Sequence, residues 1–456
     1  MFHRILIANR GEIALRVIRT CQEMNIETVA VYSTADRDAL HVHLSTHAVC
    51  IGPAKAGESY LNPVAILTAA IETGCDAVHP GYGFLSENPE FADLCAKCGL
   101  TYIGPSGDVI RKMGDKAAAR ALMQQAGVPV VPGSDGTVEL EEAQRVADEI
   151  GYPVLIKASA GGGGRGMRRV DRAEDLPALF QAARAEAQAC FGNGALYVEK
   201  LILRPRHIEF QILADREGNV IHLGERDCSV QRKNQKLVEE SPSCALTPEL
   251  RERMGRAAVA AARAAGYENA GTVEFVLDRD GRFYFIEMNT RIQVEHPVTE
   301  FVSGLDLVRE QLRIAAGLPL SLRQEQVALS GWAMECRINA EDPAHGFQPR
   351  PGTVEFLHLP GGPGVRVDTA LFSGYEFPPY YDSLCAKVIV HAPTRLEAIR
   401  KMRRALAELV IQGVVTTADL CHLILYQSDF VRGEYDTGFL PDHLEELLGW
   451  ERGELS

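Results

Sequence analysis

The chain has 456 residues, of which 46% are hydrophobic and 24% charged, with a formal net charge of -14. That length suggests about three domains, and that composition is ordinary for a globular protein. The acidic balance excludes a broad nucleic-acid or anionic-membrane surface, though not a local basic pocket for a nucleotide.

The opening run Met1 to Ala8 is too short for a secretory signal core plus cleavage site, and no apolar stretch approaches membrane-spanning length. Eleven cysteines are scattered along the chain. Reduced thiols in the cytoplasm are the simplest account of them. From the N-terminus, a strand at Arg4–Ala8, a helix at Glu12–Met24 and a strand at Thr28–Tyr32 form a βαβ pattern, which implies a parallel sheet. His79-Pro80-Gly81-Tyr82-Gly83-Phe84-Leu85 is then a loop after a strand, where α/β folds bind ligands. Cys95 and Cys98 form a CxxC inside a helical run with no second pair at zinc spacing, so both read as buried helix residues.

The Pro/Gly-rich stretch Val128 to Gly136 marks a boundary. A small unit follows, about 131–203, holding the run Gly161-Gly162-Gly163-Gly164-Arg165-Gly166. The run matches GxGxxG, but Met167 to Val170 after it looks like strand, whereas a dinucleotide fingerprint needs a helix there. The Walker pattern fails as well, because Met167 stands where lysine is required. What remains is a glycine hairpin tip whose N–H groups can approach phosphates closely. Lys157, at the end of the strand before it, suits an ATP phosphate clamp with the glycine loop as lid. Lys116 opens a helix, an unfavourable place for a cation unless an anion is near.

Tyr197 to Leu201 reads as a strand ending in charge. In His207-Ile208-Glu209-Phe210-Gln211, alternation puts His207, Glu209 and Gln211 on one face. Arg226 to Lys236 is basic and polar without helical period, which by itself reads as a surface loop. Thr272–Leu277 and Arg282–Glu287 read as a hairpin around Asp278-Arg279-Asp280-Gly281. If Leu277 pairs with Arg282, Glu274 faces Phe285, and Glu274 and Glu287 lie diagonally on one face, about 7–8 Å apart. Two carboxylates so placed can converge on magnesium, with Asn289 as a further oxygen ligand. Continued as extended backbone, Glu287, Asn289, Arg291, Gln293 and Glu295 form one polar row, a composition suited to anions and a metal. Helices are expected at Asp306–Ala316 and Arg395–Glu408.

With these segments in order, the chain resembles biotin carboxylases of the ATP-grasp superfamily, almost end to end. The runs that carry the likeness are Ile7–Ala14, His79–Asn88, Lys157–Met167, Glu225–Lys236, Phe285–Glu300 and Glu335-Cys336-Arg337-Ile338-Asn339-Ala340-Glu341-Asp342. The resemblance implies an α/β ATP-grasp fold. A Rossmann-like N-terminal domain would span 1–115, the ATP-grasp domain 116–330 with a mobile lid at about 131–203, and a C-terminal domain 331–446. It implies ATP contacts at Lys116, Lys157, Gly162, Gly163, Gly164, His207, Gln231 and Asn234. Glu199, Lys200 and the Ile202 backbone would frame the adenine. Glu274, Glu287 and Asn289 would hold magnesium or manganese. Lys236, Arg291, Gln293, Val294 and Glu295 would bind bicarbonate, and Tyr82, Gly83 and Arg337 would meet biotin. Glu295, Arg337, Arg291 and Lys236 would carry the catalysis.

The implied reaction is ATP- and bicarbonate-dependent carboxylation of biotin. No Met-Lys-Met motif is present, so the biotin carrier is expected to be a separate protein. Carboxyltransferase subunits would complete an acetyl-CoA carboxylase, with pyruvate, propionyl-CoA or 2-oxoacid carboxylase as the alternative. Two positions depart from the family pattern: Asn234 stands where histidine is usual, and Pro363 where an aromatic residue is usual at a dimer contact. Arg19, Glu23 and Arg366 still match that surface, so a homodimer is expected. An ATP-grasp carboxylate–amine ligase would lack the Arg291–Glu295 row with Arg337. A non-catalytic nucleotide sensor would lack Glu295 or a metal carboxylate.

Overall fold

The computed structural model describes residues 1–159 and 167–451, so Gly162, Gly163 and Gly164 lie outside the described residues. Residues near the N-terminus build a five-stranded parallel sheet in the order His47–Gly52, Glu27–Ser33, Arg4–Ile7, Ala77–His79, Thr101–Tyr102. Strand order reverses at Arg4–Ile7, which opens a crevice at the carboxyl ends of that strand and Ala77–His79. The loops beyond both ends are clasped together: Asn9 Nδ2 donates to the carbonyls of Pro80 and Tyr82, each at 2.7 Å. Gly81 makes that clasp possible. Its φ is +63°, and a Cβ there would stand 2.8 Å from Asn9 Nδ2.

The small unit that follows is a three-stranded antiparallel sheet, with Val154–Ala158 between Arg168–Val170 and Leu196–Lys200. The helices Leu140–Ile150 and Leu176–Phe191 cover it through Ala143, Ala147, Phe180 and Ala183. The main sheet has eight strands, in the order Phe283–Asn289, Asn269–Leu277, Arg206–Ala214, Val220–Arg232, Gln235–Ser241, Trp332–Asn339, Leu384–Ala392, Val365–Thr369. Strands on both sides of residue 330 share this sheet, Gln235–Ser241 pairing with Trp332–Asn339. The helix Pro248–Ala265 packs Met254, Ala258 and Ala262 against Phe210 and Phe275. The helix Arg395–Glu408 packs Ala398, Ile399 and Met402 against the Leu384–Ala392 side of the sheet.

Four sequence expectations are corrected. Arg226 to Lys236 is not a surface loop. It is the end of one central strand, a tight turn at Lys233-Asn234, and the start of the next strand. Both turn residues have positive φ, 47° and 68°, as a turn that follows strand twist requires. Asparagine tolerates this region better than most residues. The metal hairpin is also in a different register. Leu277 pairs with Phe283, not Arg282, so the loop is one residue longer than expected. A bulge between Glu274 and Phe275 then restores the face, and Glu274 stands directly opposite Glu287 rather than diagonal to it. An extra residue in one strand is what returns two side chains to the same side after such a shift. The strand ends at Asn289, so Arg291, Gln293 and Glu295 reach the site from a bend and turn, not from continued strand. Finally, Cys95 is buried as expected, but Cys98 is exposed at its helix end.

Replacing Asn234 by valine forces a β-branched side chain into positive φ and is expected to destabilise the chain by about 1–2 kcal/mol. The shift in urea midpoint measures it.

Candidate active site

The centre of the main sheet carries a set of buried charges that alternate in sign. Arg226 is 0% exposed. Its Nε donates to Glu209 Oε1 at 2.6 Å, Nη1 to Gln211 and Thr299 at 2.8 and 2.9 Å, and Nη2 to Gln293 and Thr272 at 2.7 and 3.1 Å. Glu209 uses its other oxygen to accept from Lys236 Nζ at 2.6 Å. Lys236 also reaches Glu295 Oε1 at 2.5 Å and Glu274 Oε1 at 3.3 Å. Burial opposes the Lys236 ammonium, but the three carboxylates around it hold its pKa well above the lysine value.

Glu274 Oε1 accepts from Asn289 Nδ2 at 2.7 Å and Gln293 Nε2 at 2.8 Å. His207 Nε2 lies 2.9 Å from its Oε2. Burial pushes the Glu274 carboxyl up, but Lys236 and His207 outweigh it and hold it well below the usual range. Burial likewise pushes His207 down, and Glu274 more than reverses this. Glu287 accepts from Lys116 Nζ at 2.7 Å. The lone cation at a helix start therefore has its anion, and Asp115 also caps that helix. Opposed carboxylates with an amide oxygen beside them are hard oxygen donors, which fit a magnesium-type ion. Asn289 Oδ1 accepts from Arg291 Nη2 at 3.1 Å, which leaves its second lone pair for a metal. Among the described residues a second donor set, His207, Glu209 and Glu274, has its ligand atoms within 4.8 Å of one another.

Glu295 lies between two cations, Lys236 and Arg337, whose Nη2 donates at 2.8 Å. Burial pushes its carboxyl up, and Lys236 and Arg337 hold it well below the usual range. The expected neighbour Arg291 is turned elsewhere: its Nε donates to Glu87 Oε2 at 3.0 Å. Arg337 is held from behind, its Nε donating to Glu239 Oε1 at 2.5 Å. The Val294 carbonyl accepts from Lys387 Nζ at 2.8 Å. Lys387 is itself fully buried and stands 3.2 Å from Glu12. The Tyr82 hydroxyl donates to that same Glu12, and Gly83 is exposed beside it.

At the small unit, Lys157 pairs with Glu199 across neighbouring strands. Lys200 turns away, donating to the carbonyls of Gly151 and Tyr152 at 2.9 and 3.0 Å. Ile202 is half-buried just after that strand. Gln231 is opposite Lys236 in register, while Asn234 is exposed at the hairpin tip. On the expected dimer surface, Arg366 is engaged by Glu300 and Asp368, and Glu23 accepts from Arg309 at 3.1 Å.

Sequence reasoning missed Arg226, Glu239, Glu87, Lys387 and Glu12. Glu209 was placed on the right face without a role. The available signal for Arg226 was its position among alternating residues in Glu225 to Gln231, hidden by the polar composition of that run.

Lysines paired with carboxylates, the opposed Glu274 and Glu287, and a second cationic pocket around Glu295 suit the chemistry of an ATP-grasp ligase. Family models agree. Residues 1–110 match the biotin carboxylase N-terminal domain, 115–323 the ATP-binding domain of the carbamoyl-phosphate synthase L chain, and 335–442 the biotin carboxylase C-terminal domain. The chain is 58% identical to a biotin carboxylase of Nostoc sp. over 97% of its length and 99% of that protein. It is 57% identical to biotin carboxylase 1 of Bacillus subtilis, covering 97% and 99% of the two chains. Among solved structures it superposes with a TM-score of 0.94 on the biotin carboxylase domain dimer of Hydrogenobacter thermophilus 2-oxoglutarate carboxylase. That structure is 54% identical, covers 98% of this chain and 99% of its own, and holds MgADP, ADP and bicarbonate. The chain belongs to the biotin carboxylase family, whose members are ATP-dependent ligases.

Substituting Arg226 by methionine leaves Glu209 and four other polar partners buried and underpaired. A loss of about 3–5 kcal/mol is expected, the cost of breaking a buried pair from one side, read from urea denaturation. The folded-state pKa of Glu295 lies below its ordinary value of 4.5, so its contribution to stability is complete above that pH and drains as pH falls through the lower value. Urea midpoints of wild type and Glu295→Gln should therefore differ most near neutrality and converge as pH falls through the lowered Glu295 value.

Proposed function

We propose that this chain carboxylates the biotin of a separate carrier protein, using ATP and bicarbonate, as the first half-reaction of an acetyl-CoA carboxylase that makes malonyl-CoA for fatty acid synthesis. The observation that carries the site reading is the Glu295 carboxylate, ionised and bridged between Lys236 and Arg337. Bicarbonate would enter among Lys236, Arg337 and Arg291, with Gln293 and the Val294 backbone orienting it. Those cations make the bound bicarbonate more acidic, which lets so weak a base as Glu295 take its proton. The bicarbonate oxygen then attacks the γ-phosphorus and ADP leaves, giving carboxyphosphate. Lys116, Lys157, His207, Gln231 and Asn234 would neutralise and orient the phosphates, and Glu199, Lys200 and Ile202 the nucleoside. A magnesium ion held by Glu274, Glu287 and Asn289 supplies charge stabilisation to this transfer. Carboxyphosphate breaks down to carbon dioxide and phosphate, the phosphate takes the ureido N–H proton of biotin, and the nitrogen attacks carbon dioxide. Arg337 would hold the negative ureido oxygen, with Tyr82 and Gly83 beside the ring.

The relatives at 58% and 57% are named biotin carboxylase with no acceptor, and a 2-oxoglutarate carboxylase domain is 54% identical, so a pyruvate, propionyl-CoA or 2-oxoacid carboxylase is the alternative system. A homodimer in the cytoplasm is part of the same reading. It is supported by the dimeric relative and by the lack, among the described residues, of any helix long and apolar enough to cross a membrane.

Purified chain with magnesium-ATP is expected to release ADP only with bicarbonate, and faster with free biotin. Glu295→Gln should lower kcat by about 10²–10⁴, the usual worth of a positioned base. Turnover requiring an amine and another carboxylate, or nucleotide binding without turnover, would overturn the reading. Reconstitution with carrier and carboxyltransferase subunits, scored for malonyl-CoA against oxaloacetate, decides the acceptor.

A further inference from the structure

Glu335 is 0% exposed, and neither of its carboxyl oxygens has a hydrogen-bond partner. In register with it on the neighbouring antiparallel strand stands Glu239, also 0% exposed. Glu239 Oε1 accepts from Arg337 Nε at 2.5 Å, while its Oε2 has no partner. Three orphaned carboxyl oxygens therefore belong to two side chains that face one another across one strand pair. Such side chains have Cβ atoms about 4.5–5.5 Å apart, within reach of one hydrogen bond between their ends. On its other side Glu335 is in register with Ile389, which packs with Val298 and Val302 of the helix His296–Ser303. Lys387 on that strand is engaged by Glu12 and the Val294 carbonyl, and among the described residues no donor reaches either Glu335 oxygen.

An ionised Glu335 would be a buried anion without a donor, which proteins avoid by neutralising the group. A neutral Glu335 has one O–H to give, and the free Oε2 of Glu239 is the acceptor opposite. We propose that Glu335 is kept as the neutral acid and donates its proton to Glu239 Oε2, so that the pair carries one negative charge and fixes Glu239 as the anchor of Arg337. The charged groups facing the pair are Arg337 on the Glu335 strand, Lys236 on the Glu239 strand, Lys387 on the next strand, and Glu295 at the head of the covering helix. His296 on that helix is buried and favoured neutral. Burial pushes both carboxyls up. Glu335 goes well above its ordinary value, whereas Arg337 restrains Glu239 to about 7. Arg337 is hydrogen-bonded to Glu239 and to neither oxygen of Glu335, so the proton stays on Glu335 and the charge on Glu239.

Both are positioning residues: each is 0% exposed, and Glu239 acts through its hydrogen bond to Arg337. Their effect is on Arg337, whose Nε is tied down so that Nη2 points at Glu295. This consequence, though not the shared proton, rests on the reading of Arg337 as the biotin contact.

Infrared difference spectra test the proton directly. Wild type at neutral pH is expected to show the carbonyl band of a buried neutral carboxylic acid, lost in Glu335→Gln and kept in Glu239→Gln. Absence of the band in wild type, or its loss in Glu239→Gln alone, overturns the proposal. Kinetics test the positioning: Glu239→Ala, which removes the acceptor of Arg337 Nε, should raise the KM for free biotin roughly tenfold or more, as loss of one hydrogen bond to a charged group does, and leave the KM for ATP within about twofold. Equal changes in both constants overturn the positioning role. If the band behaves as expected but wild type shows no biotin-dependent turnover, the shared proton stands and the reading of Arg337 falls.

Discussion

The structure turns on one guanidinium that never meets solvent. Arg226 has five hydrogen bonds to make and nowhere but the protein interior to make them. It makes them to Glu209, Gln211, Thr272, Gln293 and Thr299, so two strands, the turn after the metal hairpin and the helix beyond it are fixed to one atom group. With Glu209 committed to Arg226 on one oxygen, its other oxygen is left for Lys236. Lys236 then gathers Glu274 and Glu295. Each charge is placed by the one before it. Such a lattice is a poor source of stability, because desolvation offsets most of the attraction. Its use is that anionic substrates and a metal meet groups already oriented and already ionised.

Backbone irregularity is what brings the lattice together. The hairpin loop is one residue longer than two facing carboxylates would allow, and the bulge beside Glu274 compensates. Past Asn289 the chain leaves the sheet and folds Gln293 and Glu295 back over it. A straight strand would have carried those two side chains away along the sheet edge.

The N-terminal domain is joined to this centre by buried polar contacts. Tyr82 and Lys387 meet on Glu12, and Lys387 continues to the Val294 carbonyl beside Glu295. The loop bearing Tyr82 and the turn bearing Glu295 are thus three contacts apart. Arg10, bidentate to Asp36 at 2.7 Å and stacked on Tyr381, closes the same domain onto the C-terminal part.

The sequence determined most element types, the βαβ start and many side chains of the candidate site, because period, turn residues and family motifs are local signals. Lys116, Lys236, Glu274, Glu287, Glu295 and Arg337 were legible in that way. Tertiary structure alone decided which charges pair. Glu295 answers to Lys236 and Arg337 while Arg291 goes to Glu87, a partner 204 residues away. It also decided that a polar run from Arg226 to Lys236 is the middle of a sheet: composition reads such a run as wet, and only the oppositely charged groups arriving from distant strands make its burial tolerable.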